Sequence, residues 1–200
     1  MEFKDLVIER YNAKNFDDRK VDVKKLNELF DIIRYAPSAD NLQPWKVKVI
    51  MDQALKEKLV PATMPFNQEK VKTCSHLLVF CADRDLESHW LRLEAAMVKV
   101  GYPAKEIDHM ADVAKMIMRR TPEERLNRSQ WDVFLAVSNA INSVKSLGID
   151  SSLMGGFNAK EYARILELPP TLVPTLMVAL GYSTDKPLKK IRFLKEDVFF

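Results

Sequence analysis

Glycine is scarce, with only Gly101, Gly148, Gly155, Gly156 and Gly181 in 200 residues. They form neither a GxGxxG turn nor a Walker loop, so the glycine-rich cradles that wrap nucleotide phosphates in main-chain N–H groups are excluded. Any phosphate-bearing ligand must be held by side chains. Cysteine is scarcer still: Cys74 and Cys81 make no disulfide framework, and no further Cys or close His completes a zinc pattern. Both read as small buried hydrophobes in a reducing compartment. His76, His89 and His109 lie far apart without HExxH spacing, and there is no GxSxG elbow, so zinc hydrolysis and serine catalysis have no footing. The carboxylates sit mostly on predicted helices beside Lys or Arg, where i,i+4 pairing explains them without an acid/base role.

Apolar runs of membrane-spanning length are also missing, and Met1-Glu2-Phe3-Lys4-Asp5 carries charge where a signal peptide would be apolar. The expectation is a cytoplasmic protein with no membrane partner. Charge of one sign is not in excess: Lys+Arg 31 against Asp+Glu 28 is too even for the dense basic stripe of a nucleic-acid binder. What is present, 47% hydrophobic and 30% charged residues, fits one compact domain. A chain of this length buries roughly 70% of its unfolded surface, so its core requires no disulfide and no structural metal.

Phe3, Leu6, Val7 and Tyr11 recur at helical spacing, and Val23, Leu26, Leu29, Phe30 and Ile33 mark a second helix behind an Asp22 cap. That helix must stop before Pro37. Residues 36–44 read as a loop before an alternating strand over 45–51, and a short helix is expected near Leu55 to Leu59. A loop with Pro61 and Pro65 precedes the apolar run 76–82, a predicted central strand. Trp90, Leu93, Met97 and Val100 suit a further helix. Thr121-Pro122-Glu123-Glu124 is a strong helix start, and the helix it opens is expected to bury Trp131, Phe134, Leu135, Ser138, Ile141, Asn142 and Leu147 before Gly148 ends it. Residues 103–119 are methionine-bearing and mixed in pattern, which suits core packing. A strand at 149–154, a helix capped by Asn158 and a strand at 175–182 complete a single α+β domain over residues 1–200.

Polar loops beside these strands contain Arg10 and Lys14, Ser38 and Asn41, Asn67 and Lys70, Gly155-Gly156, and Lys190 and Arg192. Arg10-Tyr11-Asn12-Ala13-Lys14, Ala36-Pro37-Ser38-Ala39-Asp40-Asn41-Leu42-Gln43-Pro44-Trp45 and Lys190-Ile191-Arg192 together resemble the FMN-dependent nitroreductase family, in particular its oxygen-insensitive bacterial branch. Phe66 to Lys70, Ser75 to Ala82 and Leu147 to Phe157 extend the likeness over nearly the whole chain. The Pro-Ser-x-x-Asn-x-Gln-Pro-Trp block is its most specific part.

The resemblance implies a central mixed sheet flanked by helices and an intertwined homodimer, with one FMN in each of two clefts built from both subunits. Arg10, Lys190 and Arg192 would then hold the phosphate. Lys14 and Lys70 would reach the polar part of the ring, Asn67 would hydrogen-bond it, and Tyr11, Asn12, Met154, Gly155 and Gly156 would complete that side. Pro37, Ser38, Ala39 and Asn41 would come from the partner. NADH or NADPH would donate electrons, and a nitroaromatic or quinone-type small-molecule oxidant would accept them by a ping-pong route. A flavin-storage module and a cofactor-free interaction protein are the alternatives. Two positions depart from the family pattern: Asn12 stands where Ser is usual, and Gly155 where an acidic residue is usual. The apolar end of the basic tail, Val198-Phe199-Phe200, suggests that residues from about 193 to 200 extend to the partner subunit.

Overall fold

The computed structural model describes residues 2–199. Its centre is the pair β2 (His76–Asp83) and β4 (Leu172–Gly181), flanked by β1 (Trp45–Ile50) and β3 (Asp150–Met154) in the order β1-β2-β4-β3. These strands pair antiparallel throughout, and a parallel contact comes from an isolated bridge between Asn12 and Ser151. All of β2 is buried because both faces of the sheet are covered, which is why its sequence is continuously apolar. Leu78 and Phe80 face α2 (Val23–Arg34) and α7 (Pro122–Ser146), while Leu77 and Val79 face the side occupied by α3 (Gln53–Leu59), α4 (Pro65–Thr73) and α8 (Ala159–Ile165). A third cluster joins α5 (Leu86–Lys99) and α6 (Ala104–Met118) to the loop before β1 through Leu42, Leu86, Trp90, Ala114 and Ile117. The helix α1 (Phe3–Glu9) buries only Leu6.

The predicted caps are in place: Asp22 accepts from the Lys24 N–H, Asn158 from Lys160 and Glu161, and Thr121 with Glu124 forms a reciprocal capping box. Gly148 ends α7 at φ +66°, a conformation that suits glycine. Three elements differ from the sequence reading. The prolines of residues 61–65 were expected to mark only a loop, yet Pro65 opens α4, where its missing N–H costs nothing. The strand expected at 175–182 starts at Leu172 and includes Pro174, which sits opposite Cys81 where the β2–β4 register shifts and so removes no regular ladder bond.

The third difference concerns α7. Its buried stripe is Ser129, Asp132, Val133, Ala136, Val137, Ala140 and Val144, small residues that let the helix lie close to the sheet. Trp131, Phe134 and Leu135, expected in the core, are exposed, and Trp131 retains 70% of its accessible surface. Ile141 and Leu147 do pack against the core as expected. In the methionine-rich segment, Ala114 and Ile117 of α6 pack inward on Leu42 while Met116 stays exposed.

Candidate functional site

After α1 the chain runs along the outer edge of β3. The Ala13 N–H donates to Ser151 O at 3.0 Å, and the Asn12 amide pairs with both main-chain groups of Leu153, each at 3.3 Å. After β4 the chain returns across this segment. The Asp185 carboxylate accepts from the Lys14 N–H and from Asn15 Nδ2, and Lys190 Nζ donates to Val7 O at 2.9 Å. Burial would raise the Asp185 carboxyl, but these donors and Ser183 outweigh it and hold the group below its ordinary value.

The two passes border a cavity of about 530 Å³ lined by Arg10, Tyr11, Asn12, Lys14, Lys190 and Arg192, and also by Asp185, whose carboxylate is engaged by the Lys14 N–H and Asn15. Here the sequence-predicted cations meet. Partial burial and then the Arg192 charge depress the Arg10 guanidinium; burial, Arg10 and Arg192 likewise depress Lys190. Among the described residues, none of Arg10, Lys14, Lys190 and Arg192 forms a carboxylate ion pair. Several cations that oppose one another in a partly desolvated cavity are best relieved by an anion. Asn12, where Ser was the usual residue, spends its side chain on Leu153 and on Arg10 Nη1, 3.3 Å away, so it orients Arg10.

A second group lies on α4 and the turn after β3. Lys70 is buried and donates to Asn67 Oδ1 at 2.7 Å, and Asn67 Nδ2 donates to Gly156 O at 3.3 Å. Burial lowers the Lys70 ammonium first, and Lys14 lowers it further, so Lys14 couples the two clusters. Gly156 is tightly surrounded: a Cβ there would lie 3.0 Å from Asn67 Nδ2 and 3.1 Å from Phe66 Cζ, so those side chains would have to shift by a few tenths of an ångström. At Gly155 a Cβ would meet only Leu176, at an ordinary 3.6 Å. Met154 lies buried beneath this turn.

Pro37, Ser38, Ala39 and Asn41 do not join this surface within one chain. Their loop packs on α7: the Ala39 N–H donates to Asp132 Oδ1 at 2.9 Å, Arg128 pairs with Asp40, and Ser38 Oγ accepts from the Gln43 N–H at 2.9 Å. Asn41 lines a different cavity of about 570 Å³, along β1, with Phe30, Trp45, Val49 and Arg92. Asp132 and Arg128 escaped sequence reading because an acid and a base one turn apart on a helix look like a solvated pair until the fold encloses them.

Of the residues set aside as structural, His76, His89, Cys74 and Cys81 are buried, whereas His109 is exposed. His89 bonds to the buried Asp83 at 3.1 Å, and His76 lies within 2.9 Å of Ser75 Oγ. Burial pushes the Cys74 and Cys81 thiols up to about 11 and about 12, so neither is an activated nucleophile. Among the described residues no group of three His, Cys, Asp or Glu side chains could hold a metal, and no helix is long and apolar enough to cross a membrane.

The sequence pattern of the nitroreductase family matches residues 7–182. The chain belongs to the nitroreductase family. It is 28% identical over 200 residues to an oxygen-insensitive NADPH nitroreductase of Helicobacter pylori, covering 96% of this chain and 92% of that protein. Among solved structures, a nitroreductase family protein from Streptococcus pneumoniae aligns with a TM-score of 0.91 at 22% identity, covering 100% of this chain and 99% of that one. A nitroreductase from Exiguobacterium sibiricum, solved in complex with FMN, aligns at 0.90 and 21% identity, covering 99% and 96%. The α+β architecture expected from the sequence is thus the architecture of this nitroreductase-family chain.

Proposed function

We propose that this nitroreductase-family protein is an FMN-dependent oxidoreductase that passes electrons from NADH or NADPH to nitroaromatic or quinone-type acceptors. The observation that carries this reading is a pair of sites joined by Lys14: three cations, Arg10, Lys190 and Arg192, around a cavity of about 530 Å³, and the buried Lys70 beside the Asn67 amide and Gly155. The donor set fits FMN. Its phosphate carries nearly two negative charges, which Arg10, Lys190 and Arg192 would neutralise by charge-assisted hydrogen bonds. Lys14 and Lys70 would favour the electron-rich pyrimidine edge of the ring, Asn67 would bond it, and Gly155 would offer a main-chain N–H with no side chain in the way.

Bound FMN supplies the two-electron transfer chemistry, so no protein nucleophile or acid/base pair is needed. The residues of the chain bind, orient and set charge. Lys70, desolvated and fixed on Asn67, is a preorganised cation that does not need to shed water when negative charge develops beside it. One cleft serving donor and acceptor in turn is the basis for a ping-pong scheme, and initial-rate lines at varied acceptor should be parallel.

The same reading makes the functional unit a homodimer in the cytoplasm, with Pro37, Ser38, Ala39 and Asn41 of one chain facing the flavin held by the other. The tail supports it: Leu188, Ile191, Phe193, Leu194, Val198 and Phe199 are exposed in the single chain. Beside the unpaired edge of β1 runs the groove lined by Phe30, Ile33, Trp45 and Val49, into which a partner's tail can add as a strand.

The decisive measurement is the visible spectrum of the purified protein before and after anaerobic addition of NADH or NADPH. A flavin spectrum that bleaches, with FMN as the released cofactor by mass spectrometry, is expected. A yellow protein that neither donor bleaches would instead be a flavin-storage module. A colourless protein that takes up no FMN would overturn the reading altogether.

A further inference from the structure

The loop between α2 and β1 contains three non-glycine residues in the left-handed region: Asp40 at φ 53°, Asn41 at 52° and Gln43 at 49°. Asp and Asn enter this region more readily than other residues, but three such positions in four, Gln43 among them, tend to mark a functional segment held by its surroundings. Two anchors are visible. Leu42 is buried among Leu86, Trp90, Ala114 and Ile117, which fixes the middle of the loop from the α5–α6 side. From the other side, two α7 residues one turn apart reach the loop: Asp132 Oδ1 accepts the Ala39 N–H at 2.9 Å, and Arg128 pairs with the Asp40 carboxylate.

Asp132 is costly where it stands. It is 3% exposed, and its Oδ2 is enclosed without a hydrogen-bond partner among the described residues. Burial pushes its carboxyl up; the Ala39 N–H and Arg128 pull it back, and the nearby Asp40 pushes it up again. A small apolar residue would fill this position on the α7 stripe, as Ala136 and Ala140 do one and two turns further on, without burying half a carboxylate unsatisfied. Packing therefore does not account for the aspartate, whereas the single bond it makes to the strained loop does.

We propose that Asp132 and Arg128 are positioning residues that hold residues 38–43 in the one backbone conformation that keeps Ser38 and Asn41 presented to the FMN of a second copy of the chain. The inference rests on the reading that this loop completes the partner's flavin cleft. Asp132 acts as a fixed acceptor for one N–H, and Arg128 neutralises and tethers Asp40 so that the left-handed turn through Asp40 and Asn41 cannot relax. Neither residue touches the flavin.

The test compares Asp132→Ala, which removes the acceptor, with Asp132→Asn, which retains one. Two readouts apply to the holoprotein: FMN release on dilution, followed by recovered flavin fluorescence, and amide hydrogen exchange of residues 38–43 against β2. Asp132→Ala is expected to raise the FMN Kd about tenfold, as befits one lost hydrogen bond, and Asp132→Asn to stay within about threefold of the parent. Exchange should accelerate in the loop and not in β2. In a background that lacks both presented side chains, Ser38→Ala with Asn41→Ala, Asp132→Ala should add nothing further, because it acts through those two contacts. Unchanged release and loop exchange in Asp132→Ala, acceleration across the whole chain, or a further loss of FMN from Asp132→Ala in the Ser38→Ala, Asn41→Ala background would each overturn the proposal. If Asp132→Ala does not fold, Arg128→Gln decides it by the same two readouts. Failure of the underlying reading is distinct: Ser38→Ala and Asn41→Ala would both leave FMN release unchanged.

Discussion

Lys14 belongs to two settings at once, exposed beside the cavity lined by Arg10, Lys190 and Arg192 and close enough to Lys70 to depress it. The value of these cations lies in their having no carboxylate ion pair among the described residues. Replacing Arg10 or Arg192 with Ala should therefore weaken FMN binding by about 1.5–3 kcal/mol, roughly ten- to a hundredfold, measurable by fluorescence titration. Unchanged affinity in both variants would remove the phosphate grip. Asp83 tests the opposite case, a buried carboxylate fully served by donors. Burial would raise it, but the Asp85 N–H, His89 and Thr171 outweigh that, and its folded value lies below the ordinary 3.8. Its stabilisation is complete above that ordinary value and is lost as pH falls through the lower, folded one. Asp83→Asn should cost about 1–3 kcal/mol at pH 7 in denaturant titrations, and the difference from the parent should shrink below about pH 4. A penalty that stays constant down to pH 3 would refute this account.

Among the elements, α7 has the most distinct faces. One face is a stripe of small residues against the sheet, another presents Trp131, Phe134 and Leu135 to solvent, and its first turns reach the loop before β1. Its start is fixed locally, because Thr121 and Glu124 satisfy each other's main-chain N–H groups. Thr121→Ala should lower stability by about 1 kcal/mol and leave FMN affinity unchanged, since the cap lies outside the proposed flavin contacts. Loss of flavin together with the cap would mean that the N-terminus of α7 is coupled to the site. The exposed aromatics of α7 and the open edge of β1 are surfaces that one chain leaves uncovered.

For the whole molecule, the proposed dimer makes assembly and cofactor binding linked quantities. The described tail exposes Phe193, Leu194, Val198 and Phe199, whereas Phe200 lies outside the described residues. A tail that adds to a partner's β1 edge would cover these side chains and stabilise the clefts made from both chains. Deleting residues 194–200 should shift the mass in solution toward the monomer and lower bound FMN in parallel. A truncated protein that stays a full dimer with normal flavin content would show that the tail is dispensable.

The sequence alone determined what depends on neighbours along the chain. Helix starts at Asp22, Thr121 and Asn158, the stop at Gly148 and the doubly buried β2 follow from local hydrogen bonding and apolar periodicity, which act within a few residues. The family itself was legible as well, because the residue types and order of the blocks around Arg10 and Asn41 lie within the matched pattern over residues 7–182. Tertiary structure decided everything that depends on what lies across the fold. Helical periodicity gave α7 an apolar face but not the face that is buried, since close approach to the sheet selects small residues and leaves Trp131 outside. Proximity alone turned Asp132 from a solvated carboxylate into a buried acceptor for a strained loop, and brought Arg10 to Arg192 across the length of the chain. Charge and burial are properties of surroundings, and the surroundings of these residues exist only once the sheet has assembled.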